Sequence, residues 1–143
     1  MTTGDARTWP ARMAHLPEAT AFVESFCEAH GLAPADVMRL TLVVEELFTN
    51  TVTHGHGGDC DAPVRIALSV TALHIELAYD DTAPPFDPVA HLATTAAALD
   101  ADADDRRVGG LGIALVLRMT ERAGYAREDG CNRLTLSIAR DAG

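Results

Sequence analysis

Apolar residues recur at the helical interval through two early stretches of the chain. In the first, Phe22, Val23 and Phe26 share one face, Pro17 suits an opening turn, and Glu18 complements the positive end of the helix dipole. Gly31 stands where a helix would stop, so the pattern predicts a helix over Leu16–His30. The second stretch begins near Pro34 and runs to about His54, with Gly55 as its stop. Its stripe of Val37, Leu40, Val44, Leu47 and Phe48 faces a core, while Glu46 and Asn50 lie on the other side, one turn apart.

The period then changes to two. Val64, Ile66, Leu68 and Val70 alternate with Arg65, Ala67 and Ser69, and Leu73, Ile75, Leu77 and Tyr79 alternate with His74, Glu76 and Ala78. Two alternating runs joined by Thr71-Ala72 predict an antiparallel hairpin. Residues 82–108 lose this pattern: three prolines open the stretch, an Ala/Thr-rich segment follows, and Asp100–Arg107 is almost all charged or alanine. A short helix near Val89–Leu99 fits inside it, but the whole reads as a long connection of the kind that serves as a lid. After it come Val108-Gly-Gly-Leu-Gly-Ile113, an apolar helix over about Gly112–Arg122, and strands near Tyr125–Glu128 and Arg133–Ala139 joined by Asp129-Gly130. Residues 1–15 read as an N-terminal segment without an element. The order predicts one domain over 1–143, an α+β two-layer sandwich whose mixed, mostly antiparallel sheet carries its helices on one face.

Charge narrows the partners. The formal net charge is −10 over 143 residues, which argues against non-specific binding to nucleic acid or anionic membrane. A phosphate ligand would then need backbone amides, a metal ion or well-placed arginines. No apolar run approaches the roughly 18 residues of a membrane span, and Met1–Pro10 lacks the form of a signal peptide, so the expected location is the cytoplasm. Cys27, Cys60 and Cys131 fit neither a disulfide framework nor a four-ligand zinc site and read as reduced thiols.

Three separated segments carry candidate chemistry. In Glu46-Leu-Phe-Thr-Asn50 the i, i+4 spacing sets a carboxylate beside a carboxamide, one able to accept a proton and the other a hard oxygen ligand for Mg²⁺. Alone, the pair also reads as a solvated helix face. In Tyr79–Pro88, an acidic residue at a strand end can accept a hydrogen bond from the exocyclic amine of adenine, with small Ala83 letting the base lie close; alone, it is a Pro-rich turn with exposed aspartates. In Gly109-Gly110-Leu111-Gly112, glycines before a helix let backbone amides approach phosphate; alone, it is a turn feeding a helix. No Lys-Ser or Lys-Thr follows the glycines, and the His-Arg-Asp and Asp-Phe-Gly triplets are missing, which excludes a P-loop enzyme and a eukaryotic-type kinase.

In order and spacing the three segments resemble the anti-sigma factor serine/threonine kinases, the single-domain branch of the GHKL (Bergerat) ATPases. Glu46-x-x-x-Asn50 with Thr51-Val-Thr-His54-Gly55 resembles the family's first box, Asp81-Thr-Ala83-Pro-Pro-Phe86-Asp-Pro88 its second, and Gly109–Ile113 through Tyr125-x-Arg127-x-x-Gly130-x-Asn132-x-Leu134 its third box and closing hairpin. The resemblance spans about residues 16–139. It implies ATP and Mg²⁺ as cofactors, Asn50 as the magnesium ligand and Glu46 as the general base. The nucleotide-contacting set it implies comprises Asn50, Asp81, Ala83, Phe86, Arg107 and Gly109-Gly110-Leu111-Gly112, with Asp81 reading the adenine amine, Gly110 and Gly112 wrapping the phosphates and residues 87–108 as the ATP lid. Arg106 or Arg107 is then a candidate contact for the γ-phosphate. The partners it implies are a STAS-domain antagonist, a sigma factor in one nucleotide state, and a second copy in a homodimer. One departure stands out: the family has glycine two residues after the aspartate, where this chain has Ala83, whose methyl restricts φ at that turn.

Two readings stay open from the sequence. One is a partner-switching kinase acting on a serine or threonine of the antagonist. The other is a nucleotide-gated protein-binding module with little or no kinase activity, which Ala83 and the acidic lid favour. His54, His56, Asp59 and Cys60 also sit close together, but their spacing suits no common zinc pattern, and a polar loop at the mouth of the site is the preferred reading.

Overall fold

The computed structural model describes residues 3–88, 116 and 118–141. Strand β1 (Thr3–Pro10) leads through a 3₁₀ turn (Met13–His15) into helix α1 (Leu16–Ala29), followed by α2 (Pro34–Asn50) and a π-helical turn (Thr51–Gly55). Strands β2 (Pro63–Val70) and β3 (His74–Asp81) form the first hairpin; β4 (Arg122–Glu128) and β5 (Cys131–Ala139) form the second. The strands make one sheet in the order β1-β2-β3-β5-β4. Every pairing between described strands is antiparallel.

The alternation read from the sequence decides which side of the sheet is covered. Val64, Ile66, Leu68 and Val70 of β2, Ile75, Leu77 and Tyr79 of β3, and Leu134, Leu136 and Ile138 of β5 are all buried. They share one core with Phe22, Val23 and Phe26 of α1 and Leu40, Val43, Val44, Leu47 and Phe48 of α2. Leu40 and Phe48 are fully buried, and each such side chain contributes about 1.5–3 kcal/mol relative to exposure. On the opposite face Asp80 sits between Arg133, 3.0 Å away, and Arg65, 3.9 Å away. Both arginines are about half exposed, so these pairs add little stability.

Two expectations about the ends of elements change. The N-terminal segment forms β1, which shows no alternation because Trp9 is its single buried anchor, set edge-on against Phe22 with ring centroids 5.6 Å apart. Arg122, expected to end the last helix, opens β4 instead: helical geometry is found at Val116 and Arg118, a turn follows at Met119, and Glu121 N–H donates to Ser137 O at 2.7 Å. The Asp129-Gly130 turn is as expected, with both residues at positive φ (51° and 78°), the geometry of a tight hairpin turn. The chain end is tied down by Asp36, which is 1% exposed in the first turn of α2. Its two carboxylate oxygens accept the Asp141 N–H, each at 3.1 Å, and it pairs with Arg39.

Candidate functional site

Helix α2 ends where the chemistry begins. Glu46 and Asn50 occupy its last turns, both half-buried, and the backbone then widens into the π turn, where His56 N–H donates to Thr51 O at 2.9 Å. The expected single helix to His54 is thus an α-helix to Asn50 with a π turn after it. Such widenings recur at functional sites because they rotate side chains off the regular helical face. Thr51, one turn after Leu47 on the buried stripe, faces inward and is 4% exposed, while Thr53 and His54 in the π turn stay outside.

Thr51 meets the ends of β3. Its hydroxyl donates to Asp81 Oδ2 at 2.7 Å, and Tyr79 OH lies 2.6 Å from the same hydroxyl and 3.0 Å from Leu47 O. Burial pushes the Tyr79 phenol above its ordinary range, so it stays a neutral donor to these acceptors. The other oxygen, Asp81 Oδ1, accepts from Ala83 N–H at 3.2 Å and from Asn132 Nδ2 at 2.9 Å. A carboxylate accepts about four hydrogen bonds; described residues take three of them, which leaves one acceptor position on Oδ2 among the described residues. Asp81 itself is 9% exposed, so an incoming N–H group would meet an oriented and largely desolvated acceptor.

The closing hairpin holds the second segment in place. Asn132 Nδ2 also lies 3.1 Å from Ala83 O and 3.2 Å from Pro84 O, its Oδ1 accepts from Tyr125 OH, and Arg127 donates to Ala83 O at 2.8 Å. Ala83 is 3% exposed, and its methyl fits only because residue 55 is glycine: a Cβ on Gly55 would lie 2.8 Å from it. The φ restriction that alanine brings to this turn is accommodated, because Asp129 is the only non-glycine residue at positive φ among the described residues. Phe86 lies just beyond, 47% exposed. Arg106, Arg107, Gly109, Gly110, Leu111 and Gly112, together with nearly all of the 87–108 stretch, lie outside the described residues.

The structure therefore brings together the end of α2 and the Asp81–Ala83 strand end. It adds contacts for Thr51, Tyr79, Asn132, Tyr125 and Arg127, which the sequence reading quoted within its segments but gave no individual role. Two of them carried a further signal: Tyr79 and Asn132 stand at core-facing positions of their strands, where an uncompensated polar group is costly. No three His, Cys, Asp or Glu side chains converge at metal-binding distance among the described residues. Asp59 instead accepts the Met13 N–H at 2.9 Å, and Asp61 pairs with Arg12. The group set suits adenine: a carboxylate with one acceptor position open among the described residues, a small residue beside it, and the half-buried carboxamide of Asn50 immediately before Thr51.

Comparison with known proteins agrees. A family model described as a histidine kinase-like ATPase domain matches residues 9–138. The chain belongs to that family. Members of the histidine kinase-like ATPase fold bind nucleotide, and the capability is implied for this chain with it. The serine/threonine-protein kinase BtrW of Bordetella bronchiseptica is 31% identical over 98 residues, covering 68% of this chain and 67% of that protein, and this likeness supports kinase activity. Two solved structures share the fold. One is the SiaB–SiaC complex of Pseudomonas aeruginosa, with a TM-score of 0.64 at 17% identity over 94% of this chain and 89% of that one. The other holds the RsbU and RsbW domains of a Mycobacterium tuberculosis protein, with a TM-score of 0.60 at 18% identity over 98% of this chain and 34% of that one. No helix among the described residues is long and apolar enough to cross a membrane.

Proposed function

We propose that this chain is an ATP-dependent serine/threonine kinase that phosphorylates a STAS-domain antagonist in a bacterial partner-switching circuit. The observation that carries the reading is the buried Asp81, oriented by Thr51 and Asn132 with one acceptor position open among the described residues, at the foot of the helix that carries Glu46 and Asn50. In this reading Asp81 accepts the adenine amino N–H, and Ala83, backed by Gly55, lies beside the base. Asn50 would hold the magnesium ion, which when bound neutralises phosphate charge. Gly110 and Gly112 wrap the phosphates, Arg107 reaches the γ-phosphate, and 87–108 closes as the lid. Glu46 takes the proton from the attacking hydroxyl, so that positioning and charge stabilisation supply the rate.

The test is transfer of labelled phosphate from ATP to a serine or threonine of the cognate antagonist. Glu46→Ala is expected to abolish transfer while leaving ATP binding in place. Unchanged transfer by Glu46→Ala would remove Glu46 from the reaction. A second reading, a nucleotide-gated protein-binding module without transfer, keeps support from Ala83, which stands where the resembled family has glycine. It predicts partner affinity that changes with ATP against ADP and no time-dependent labelling of any partner.

A further inference from the structure

Helices α1 and α2 share a core with one face of the sheet. On the other face the register sets Arg65, Asp80 and Arg133 side by side across three strands. Arg122 stands on the same face, opposite Ser137 on β5. All three arginines are exposed, and the floor between them is built of small residues, Ala67, Ala78 and Thr135.

The arginines are held in place but not used up. Arg133 donates to Asp80 Oδ1 through Nε alone, at 3.0 Å, which leaves its terminal nitrogens open among the described residues. Arg65 Nη1 lies 3.9 Å from Asp80 Oδ2, too long for a hydrogen bond. Arg122 has no ion pair or side-chain hydrogen bond among the described residues. The inner carboxylates of this face are engaged: the Asp80 side chain is 12% exposed between the two arginines, and Glu76 accepts from Ser137 Oγ at 3.0 Å. Glu128, at the end of β4, is the remaining carboxylate of the face among the described residues. Half-exposed pairs of this kind contribute little to folding. Asp80 nonetheless holds two guanidiniums over one spot, and such preorganisation is what binding rewards.

We propose that this face docks a short acidic segment of another protein, with Arg65 and Arg133 taking one carboxylate and Arg122 a second. The planar fork of arginine donates two parallel hydrogen bonds to a carboxylate. Arg65 and Arg133 sit on the strands that flank β3, so their Cα atoms are about 10 Å apart. Both side chains reach toward Asp80. Arg122 is offset from Arg133 by four residues along β5, about 13 Å. A segment of about four extended residues spans that distance, and the small floor leaves room for its backbone.

Charge also selects the class of partner. The whole chain carries −10, so a long polyanion such as nucleic acid, or an anionic membrane, meets repulsion outside this face. A short segment meets mainly the arginines, because exposed charges more than about 8 Å away are largely screened at physiological salt. None of the three arginines belongs to the proposed nucleotide site, so the docking face stands apart from the kinase reading.

Fluorescence anisotropy with the full chain tests this, using a labelled peptide of alternating glutamate and alanine and its glutamine counterpart at physiological salt. The glutamate peptide is expected to bind at least about tenfold more tightly than the glutamine one. Arg65→Glu and Arg133→Glu should each weaken that binding by at least about tenfold. Their melting temperatures should stay near that of the wild type, since both side chains are about half exposed. Arg7→Glu makes the same change of net charge at an exposed arginine on the helix side of β1, and should leave binding unchanged. Amide shifts on titrating the wild type should centre on Arg65, Asp80 and Arg133, a readout that needs no variant. Equal affinity for the two peptides, undiminished binding by Arg65→Glu and Arg133→Glu, an equal loss in Arg7→Glu, or shifts centred elsewhere would each overturn the proposal. So would an oligothymidylate that binds more tightly than the glutamate peptide, since the ligand would then be a nucleic acid.

Discussion

Asn132 Nδ2 donates to Asp81 Oδ1 at 2.9 Å, linking the last strand pair to the carboxylate at the end of β3. The two residues face each other across paired strands, in direct register. Asn132 is itself held by Tyr125 OH on β4. The chain of contacts means that the second hairpin, far along the sequence, sets the orientation of the one acceptor proposed to read the base.

Asn132→Ala is therefore expected to weaken ATP and ADP binding by about 10- to 100-fold, the worth of a hydrogen bond to a charged group. Calorimetric titration of both nucleotides checks it, with Asp81→Asn as the reference for complete loss. Asn132→Asp should be at least as damaging, since it sets a second carboxylate against the first.

Thr51→Val removes a buried donor to Asp81 Oδ2 while keeping the shape of the side chain. A loss of about 1–3 kcal/mol in unfolding free energy is expected, the cost of leaving a buried acceptor unpaired. Thr51→Ser, which retains the hydroxyl, should recover most of it in the same urea titration.

Gly55→Ala should cost about 1–3 kcal/mol by overpacking against Ala83. The added methyl would sit 2.8 Å from the Ala83 Cβ. Ala83→Gly in the same chain should relieve much of this. A double-mutant cycle on the two positions is expected to show a coupling above about 0.5 kcal/mol.

Burial pushes the Cys27 thiol up to about 11 from its ordinary 9.0, with the charges of Asp36 and Glu24 adding to the effect. The neutral thiol is favoured in the folded state, so its contribution is whole below pH 9 and is lost as pH rises through 11. Cys27→Ala should flatten this part of the stability profile between pH 9 and 11. Iodoacetamide at pH 8 should label Cys60 and Cys131, which are partly exposed, well before Cys27.

Much of the candidate site was legible in the sequence. The i, i+4 pair Glu46 and Asn50 needed only helical geometry, and the Asp81 turn stood out from its prolines and acids. Thr51 stands one turn after Leu47, so helical spacing accounts for its inward face, but its partners Tyr79 and Asp81 lie on a distant strand and were not legible. The hydroxyl cluster of Thr51 and Tyr79 joins residues 28 positions apart, and the Asn132–Asp81 bond joins residues 51 apart. Pattern along the chain does not report such pairings. The φ restriction that alanine brings to position 83 is met without conflict by the observed turn, since Ala83 adopts no positive φ.

The sequence by itself determined the periods: two helical stripes, two alternating hairpins, the Asp129-Gly130 turn, and the spacing of boxes that marks the family. Those features are local, set by side-chain sterics, backbone preference and the need to bury one face of each element. What only the tertiary structure decided was which residues meet. It placed β1 at the sheet edge through one buried tryptophan, set Thr51 against Tyr79 and Asp81, and brought Asn132 onto Asp81. These follow from strand order and register, which depend on how distant segments share one core, a quantity that no window of sequence contains.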